Sequence, residues 1–143
     1  MNASSLNYWP ILIAGVASFV FGGLWYGTLG RHWLAARNLS PKDAEQARAN
    51  TGIVPYVIAS VALLIMAWML SGVMVHLARG GMPLNIRTGL ISGFLVWFGF
   101  VMTTLTVNHS FQGAKGSLTL IDGGHWLGVL LIQGAILGWW GVA

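Results

Sequence analysis

The sequence predicts an all-α integral membrane protein: four transmembrane helices in a compact bundle, with a short amphipathic surface helix between the first and second spans. Three observations predict it. Only 7% of the 143 residues are charged and 56% are hydrophobic, where an ordinary soluble domain is about 25% charged. Four stretches, about 8–29, 53–78, 88–107 and 123–143, contain no Lys, Arg, Asp or Glu. Each is about 20 residues or longer, enough at ~1.5 Å per residue to cross a ~30 Å hydrocarbon layer. These stretches are also apolar nearly all round, whereas core helices of a soluble bundle keep a polar stripe. The alternation that a transmembrane barrel requires is absent. The whole chain, 1–143, reads as one four-span membrane domain with a cytoplasmic loop at 30–52.

The first span opens on Tyr8-Trp9 and closes in GGLWYGTLGRHW, residues 22–33. It lacks a basic leading segment, its apolar core is long and its positive charge follows it, so it reads as a permanent span and not as a cleaved signal. In the loop after it, Ser40 is a good helix N-cap, Pro41 suits the first helical position and Asp43 complements the dipole. Asn50-Thr51-Gly52 ends that helix. The second span closes at His76. The third carries a polar half, Thr103, Thr104, Thr106, Asn108 and His109, and the fourth ends in Trp139-Trp140.

Charge sets the expected orientation. The chain has ten charges, and six of them (Arg31, Arg37, Lys42, Asp43, Glu45, Arg48) fall between residues 31 and 48. This is a loop bias, with no basic face that could track nucleic acid. The first and third loops hold Arg31, Arg37, Lys42, Arg48 and Lys115, and the second holds Arg79 and Arg87. Counting positive charge inside therefore places both termini outside the cytoplasm. Tyr8, Trp9, Trp139 and Trp140 then mark the outer interface, and Trp25, Tyr26, Trp33, Tyr56 and Trp126 the inner one.

Small residues recur at four-residue spacing: Ala14, Ser18 and Gly22, with Gly23 and Gly27, on the first span; Gly89 and Gly93 on the third; Gly124 and Gly128, then Gly134 and Gly138, on the fourth. Helices in lipid associate by close packing, which small side chains allow. These residues are therefore expected to pack helices, and the surface left over predicts a homo-oligomer. The blander alternative is that one bundle uses up every small face. Trp68 and Trp97, near mid-depth, are expected to fill space across from glycine, the alternative being that they line a pocket for a lipid or quinone-like ligand.

Chemistry-bearing residues are few. With no cysteine, thiolate sites and disulfides are excluded. Neither a nucleophile–base pair nor paired carboxylates occur, and no cofactor is predicted. His32, His109, Asp122 and His125 all come out near the inner interface by this topology. Asp122 and His125 share a face if their turn is helical, and the set has donor types suited to a divalent metal. Solvated or carbonyl-bonded histidines are the commoner outcome. The threonines of the third span can bond back to their own helix; with Asn108 they could instead wall a vestibule. Gln133, mid-span, requires a partner, and an interhelical hydrogen bond is worth ~1 kcal/mol.

The run Gly23, Leu24, Trp25, Tyr26, Gly27, then Gly30, Arg31 and Trp33, followed by Leu39-Ser40 and a long apolar helix, resembles a bacterial family known as domain-of-unknown-function 1761. His125-Trp126-Leu127 running into Gly134–Trp139 is similar to that family's closing helix. Thr28-Leu29 stand where the family often has proline and phenylalanine, and 111–120 is less basic than the family's third loop. The resemblance implies a small multi-pass protein of the bacterial inner membrane and carries no activity with it.

Three functions follow as expectations. The first is a non-enzymatic oligomeric scaffold, assembly factor or lipid/small-ligand-binding protein, with the bilayer, further copies and other membrane-protein subunits as partners. The second is a small channel or facilitator, its vestibule lined by Thr103, Thr104, Asn108 and Gln133. The third is a metal- or cofactor-dependent membrane enzyme at the inner-face histidines.

Overall fold

The computed structural model describes residues 7–141 and is all-helical over them, with no strand among the described residues. Four helices are long and apolar enough to cross a membrane: α1 (Trp9–Ala36), α3 (Val54–Arg79), α4 (Ile86–Phe111) and α5 (Gly116–Trp140). The short α2 (Pro41–Thr51) joins the first two. Its cap is the one the sequence predicts: the Ser40 hydroxyl accepts from the Asp43 amide at 3.2 Å, while the Asp43 carboxylate receives the Ser40 amide. Gly52, at φ +62°, ends the helix in a conformation that favours glycine.

The helices overrun the uncharged stretches. α1 continues through Arg31 and His32 to Ala36, α4 reaches Phe111, and α5 begins at Gly116, seven residues before 123. Absence of charge is a poor ruler for helix length where a charge is satisfied by neighbours. Asp122 lies inside α5 because two α1 side chains hydrogen-bond it, so an acidic residue does sit within a candidate span. At the other end α5 stops at Trp140, and Val142 and Ala143 of the expected fourth span lie outside the described residues.

α5 is the central helix. It packs along α4 on one side and α1 on the other and touches α3, which packs mainly on α1. Against α4 the approach is backbone to backbone. A Cβ on Gly89 would overlap the Gly134 carbonyl, one on Gly93 would meet the Leu130 carbonyl at 2.5 Å, and one on Gly138 would overlap the carbonyl of Asn85. Four residues up α4 match four residues down α5, which is the antiparallel register that a glycine ridge permits. Ala14 and Ser18 are fully buried on α1, and the Ser18 hydroxyl donates to the Ala14 carbonyl at 2.7 Å. Ile11, Ala14, Ala67, Leu70, Met74, Leu130 and Leu137 form the apolar core, all toward the end where α1 starts and α5 finishes.

α4 carries a π-helical turn at Trp97–Met102. Such a turn displaces carbonyls from the regular ladder. The Thr103 hydroxyl takes up two of them, Gly99 at 2.9 Å and Phe100 at 3.2 Å. The Trp97 indole N–H donates across to the Gly123 carbonyl at 2.8 Å, while the space a Cβ on Gly123 would fill is taken by Met102. Trp68 is half exposed on the outside of α3.

Candidate functional site

The half of the bundle away from the apolar core is built differently. Here the α1 run quoted above turns inward onto α5. The Trp25 indole donates to the Ile121 carbonyl at 3.1 Å, and its ring lies where a Cβ on Gly124 would stand. Phe21 occupies the corresponding space at Gly128. These two glycines therefore admit aromatic side chains of α1, whereas those of the α4 contact admit backbone. The Tyr26 hydroxyl donates to Asp122 Oδ1 at 2.8 Å, and the Trp33 indole to the same oxygen at 3.1 Å. Trp25, Tyr26 and Trp33 were expected to form an inner aromatic belt; they are half-buried packing residues, because their N–H and O–H groups find acceptors on α5 and not in headgroups.

Asp122 also draws on α4. His109 Nε2 stands 3.9 Å from Asp122 Oδ2, while His109 Nδ1 is 3.0 Å from the Thr119 hydroxyl. One carboxylate thus ties three helices together. His32 is elsewhere: it lines a groove of about 510 Å³ with Leu29, Ala35, Lys115 and Ile121, and Lys115 Nζ donates to the Ala35 carbonyl at 3.1 Å. His125 is one turn beyond Asp122 on α5 but faces Gly22 on α1, near the middle of that 28-residue helix. It is buried inside the bundle and not displayed at the inner surface, because α5 starts earlier than the uncharged stretch does. Of the four metal candidates, the structure brings His109 to Asp122 and leaves His32 apart. No group of three His, Cys, Asp or Glu that could hold a metal ion occurs among the described residues.

His125 is enclosed by rings. Phe21 stacks on it at a centroid distance of 6.0 Å, Tyr26 is at 4.9 Å tilted by 47°, and Trp126 is edge-on at 4.9 Å. Only 8% of its surface is accessible, and its Nδ1 has no hydrogen-bond partner. Beside it opens a cavity of about 590 Å³ between α1, α3 and α5, with walls that include Phe19, Gly22, Tyr56, Ala59, Leu63 and Trp126. Gly23, Gly27 and Arg48 complete the side nearest α2. Gly23 and Gly27 were expected to pack helices, yet a Cβ on either would meet nothing within 4 Å. They border open space because the aromatic side chains between them face α5.

Gln133, fully buried, donates through Nε2 to the Leu63 carbonyl of α3 at 3.0 Å and leaves Oε1 without a partner. This is the interhelical bond that the sequence requires, and it closes α3 onto α5 beside the cavity wall at Leu63. Thr103, Thr104 and Asn108 are exposed on α4, apart from the cavity between α1, α3 and α5. Thr106 bonds back to the Met102 carbonyl at 2.7 Å.

Sequence reasoning missed Arg48 as a cavity residue, since nothing in an isolated loop helix says which α3 and α1 side chains it will stand over. It also missed Gly15, where a Cβ would meet Leu64 Cδ2 at 2.6 Å. That contact was legible as one more small residue on the Ala14–Ser18 face. Compared with known proteins, residues 9–138 match the family described as a protein of unknown function, DUF1761. No curated protein and no solved structure matches the chain.

Proposed function

We propose, for a chain that belongs to the DUF1761 family of proteins of unknown function, a non-enzymatic role: binding a small lipid-like ligand in the cavity between α1, α3 and α5. One observation carries this reading. The buried His125 lines a concave space of about 590 Å³ between α1, α3 and α5, where its side chain stands among aromatic rings and not against solvent. The volume is in the range of pockets that enclose small molecules, about 300–1,000 Å³. The walls are aromatic and aliphatic with a few polar points, the usual make-up of such sites. His125, Arg48, Tyr56, Tyr26 and Ser18 are the polar residues of the lining, the last two with hydroxyls that already donate to Asp122 and to the Ala14 carbonyl. The lining contains no acid, which disfavours a cation.

Ala59 is the lever for a test. It lies on α3 in the cavity wall, and Ala59→Phe would fill the space without touching the α4–α5 contact. Protein purified gently from its host membrane carries a stoichiometric amphiphile detectable by native mass spectrometry, and Ala59→Phe lacks it. An empty wild-type protein whose thermal stability is the same in lipid extract and in pure detergent would refute the reading.

The protein works in a bacterial inner membrane with both termini outside, on the loop-charge argument, and it self-associates. Support for self-association comes from Thr104 and Asn108, one turn apart on the exposed face of α4. Polar side chains on an outward face of a membrane helix bond across to another helix at about 0.6–2 kcal/mol each. Asn108→Leu is expected to shift the protein toward monomer in detergent by light scattering; an unchanged mass would remove this contact.

A further inference from the structure

We propose that the ligand of this cavity is an anionic phospholipid, one acyl chain lying in the groove between α1 and α3 and its phosphate on the Arg48 guanidinium. The proposal rests on the ligand-binding reading above and names the chemistry of that ligand.

The groove has a closed end and an open one. α1 and α3 touch at Gly15, where a Cβ would meet Leu64 Cδ2 at 2.6 Å. The core residues Ile11, Ala14, Ala67 and Leu70 pack beyond that contact. Toward α2 the space between the two helices opens. A concavity of about 160 Å³ bordered by Gly15, Val16, Ser60 and Leu64 comes first, and it shares its Phe19 wall with the cavity of about 590 Å³. Gly27, at the α2 end, is twelve residues along α1 from Gly15, which makes the groove ~18 Å long at ~1.5 Å per residue. One leaflet of a ~30 Å hydrocarbon layer is ~15 Å deep. The groove is therefore as long as one acyl chain.

The hydroxyls of the inner walls are already bonded: Ser18 to the Ala14 carbonyl at 2.7 Å, Ser60 to the Tyr56 carbonyl at 2.8 Å and Tyr26 to Asp122 at 2.8 Å. His125 is sealed among its rings. The deep walls thus suit plain hydrocarbon, and an empty groove in a bilayer would forfeit dispersion contacts that an acyl chain restores. Such contacts choose no particular lipid, since lipid tails are as apolar as the walls; the head group decides. Arg48, at the α2 end, has no ion pair among the described residues, and no Asp or Glu lines the cavity. A guanidinium meets phosphate through two parallel N–H donors. A zwitterionic head brings its own cation to the same place, so an unpaired arginine at the mouth favours an anionic one. The flank is open as well: Val16 and Val20 on α1 and Val57 and Val61 on α3 are exposed. One chain can enter sideways while its sister stays in the bilayer.

The test titrates full-length protein in detergent micelles with dioleoyl phosphatidylglycerol and, separately, with dioleoyl phosphatidylcholine, and counts bound lipid by native mass spectrometry. Wild type is expected to bind phosphatidylglycerol saturably and about tenfold more tightly than phosphatidylcholine, the worth of roughly one charge-assisted hydrogen bond. Arg48→Gln should remove that preference by weakening phosphatidylglycerol alone. Arg48→Lys, which keeps the charge, should stay within about threefold of wild type. Lys42→Gln, on the same loop helix but outside the lining, should retain the preference, which separates a site from general surface charge. Arg48 and Lys42 are both exposed, so circular dichroism of these variants should match wild type. Ala59→Phe should lose both lipids. Equal affinity for the two lipids in wild type, a preference that survives Arg48→Gln, or one that Lys42→Gln abolishes would overturn the head-group assignment. The ligand-binding reading would still stand on the loss of lipid in Ala59→Phe. Wild type that binds neither lipid, or Ala59→Phe that binds both as wild type does, would end both.

Discussion

Replacing Gly134 with alanine tests the packing scheme at its tightest point. A Cβ there would lie 2.7 Å from the Gly89 carbonyl carbon and closer still to its oxygen, so α4 and α5 must part by ~0.5–1 Å. A gap of that size forfeits about a quarter to a half of each dispersion contact of ~0.1–0.2 kcal/mol. Over ~30 atom pairs along Asn85–Gly138, Gly89–Gly134 and Gly93–Leu130 the loss is ~2 kcal/mol, within the ~1–3 kcal/mol usual for overpacking. Alanine recovers at most ~0.5–1 kcal/mol of helix propensity. Gly134→Ala and Gly89→Ala should therefore unfold ~1–2 kcal/mol more easily in SDS titrations of mixed micelles followed by circular dichroism. Gly23→Ala and Gly27→Ala, where the new methyl meets nothing within 4 Å, are the controls and should match or exceed wild type. Equal midpoints for Gly134→Ala and Gly23→Ala would refute the argument that backbone contact, and not glycine content, holds these helices together.

Other substitutions separate the remaining parts. Asp122→Ala strands the Tyr26 hydroxyl and the Trp33 indole, at ~1–3 kcal/mol each, and should lower the melting temperature more than Asp122→Asn, which keeps an acceptor oxygen. Ser40→Ala removes the capping box of α2 and costs about 1 kcal/mol of helix stability, seen as faster trypsin cleavage at Lys42 and Arg48 with the spans intact. Thr103→Val uncovers the two π-turn carbonyls and should cost about 1 kcal/mol, whereas Thr104→Val, on the exposed face, should alter monomer unfolding by less than ~0.5 kcal/mol.

The four helices and the capped loop helix are legible in the sequence because each rests on a local signal: unbroken apolar length, or a Ser-Pro-x-Asp start. The α4–α5 ridge is legible too, since glycine at four-residue spacing on two neighbouring helices has one economical use in lipid. What escaped is which way a side chain turns. Trp25, Tyr26 and Trp33 suit an interface and a buried donor site equally well, and only the acceptors on α5 decide between them. Asp122 escaped for the same reason: a charge looks like the end of a span until its hydrogen-bond donors are known. Gly23 and Gly27 have the spacing of a packing face, but rotation of α1 toward α5 leaves them on the cavity side. Once Asp122 is placed inside the bundle, the expected inner-face cluster of three histidines with Asp122 dissolves into separate environments, with His125 enclosed, His109 tied to Asp122 and His32 on a surface groove.

The account turns on the inward rotation of that α1 aromatic run, and ¹⁵N-indole spectra of wild type and Asp122→Asn read it most directly. With the eight indole signals assigned by single Trp→Phe substitutions, the Trp33 N–H resonance should move on neutralising its acceptor, while those of the exposed Trp139 and Trp140 stay in place. A Trp33 signal that does not respond would mean that this ring faces the membrane surface, and the Asp122 tether and the cavity wall built on it would have to be abandoned.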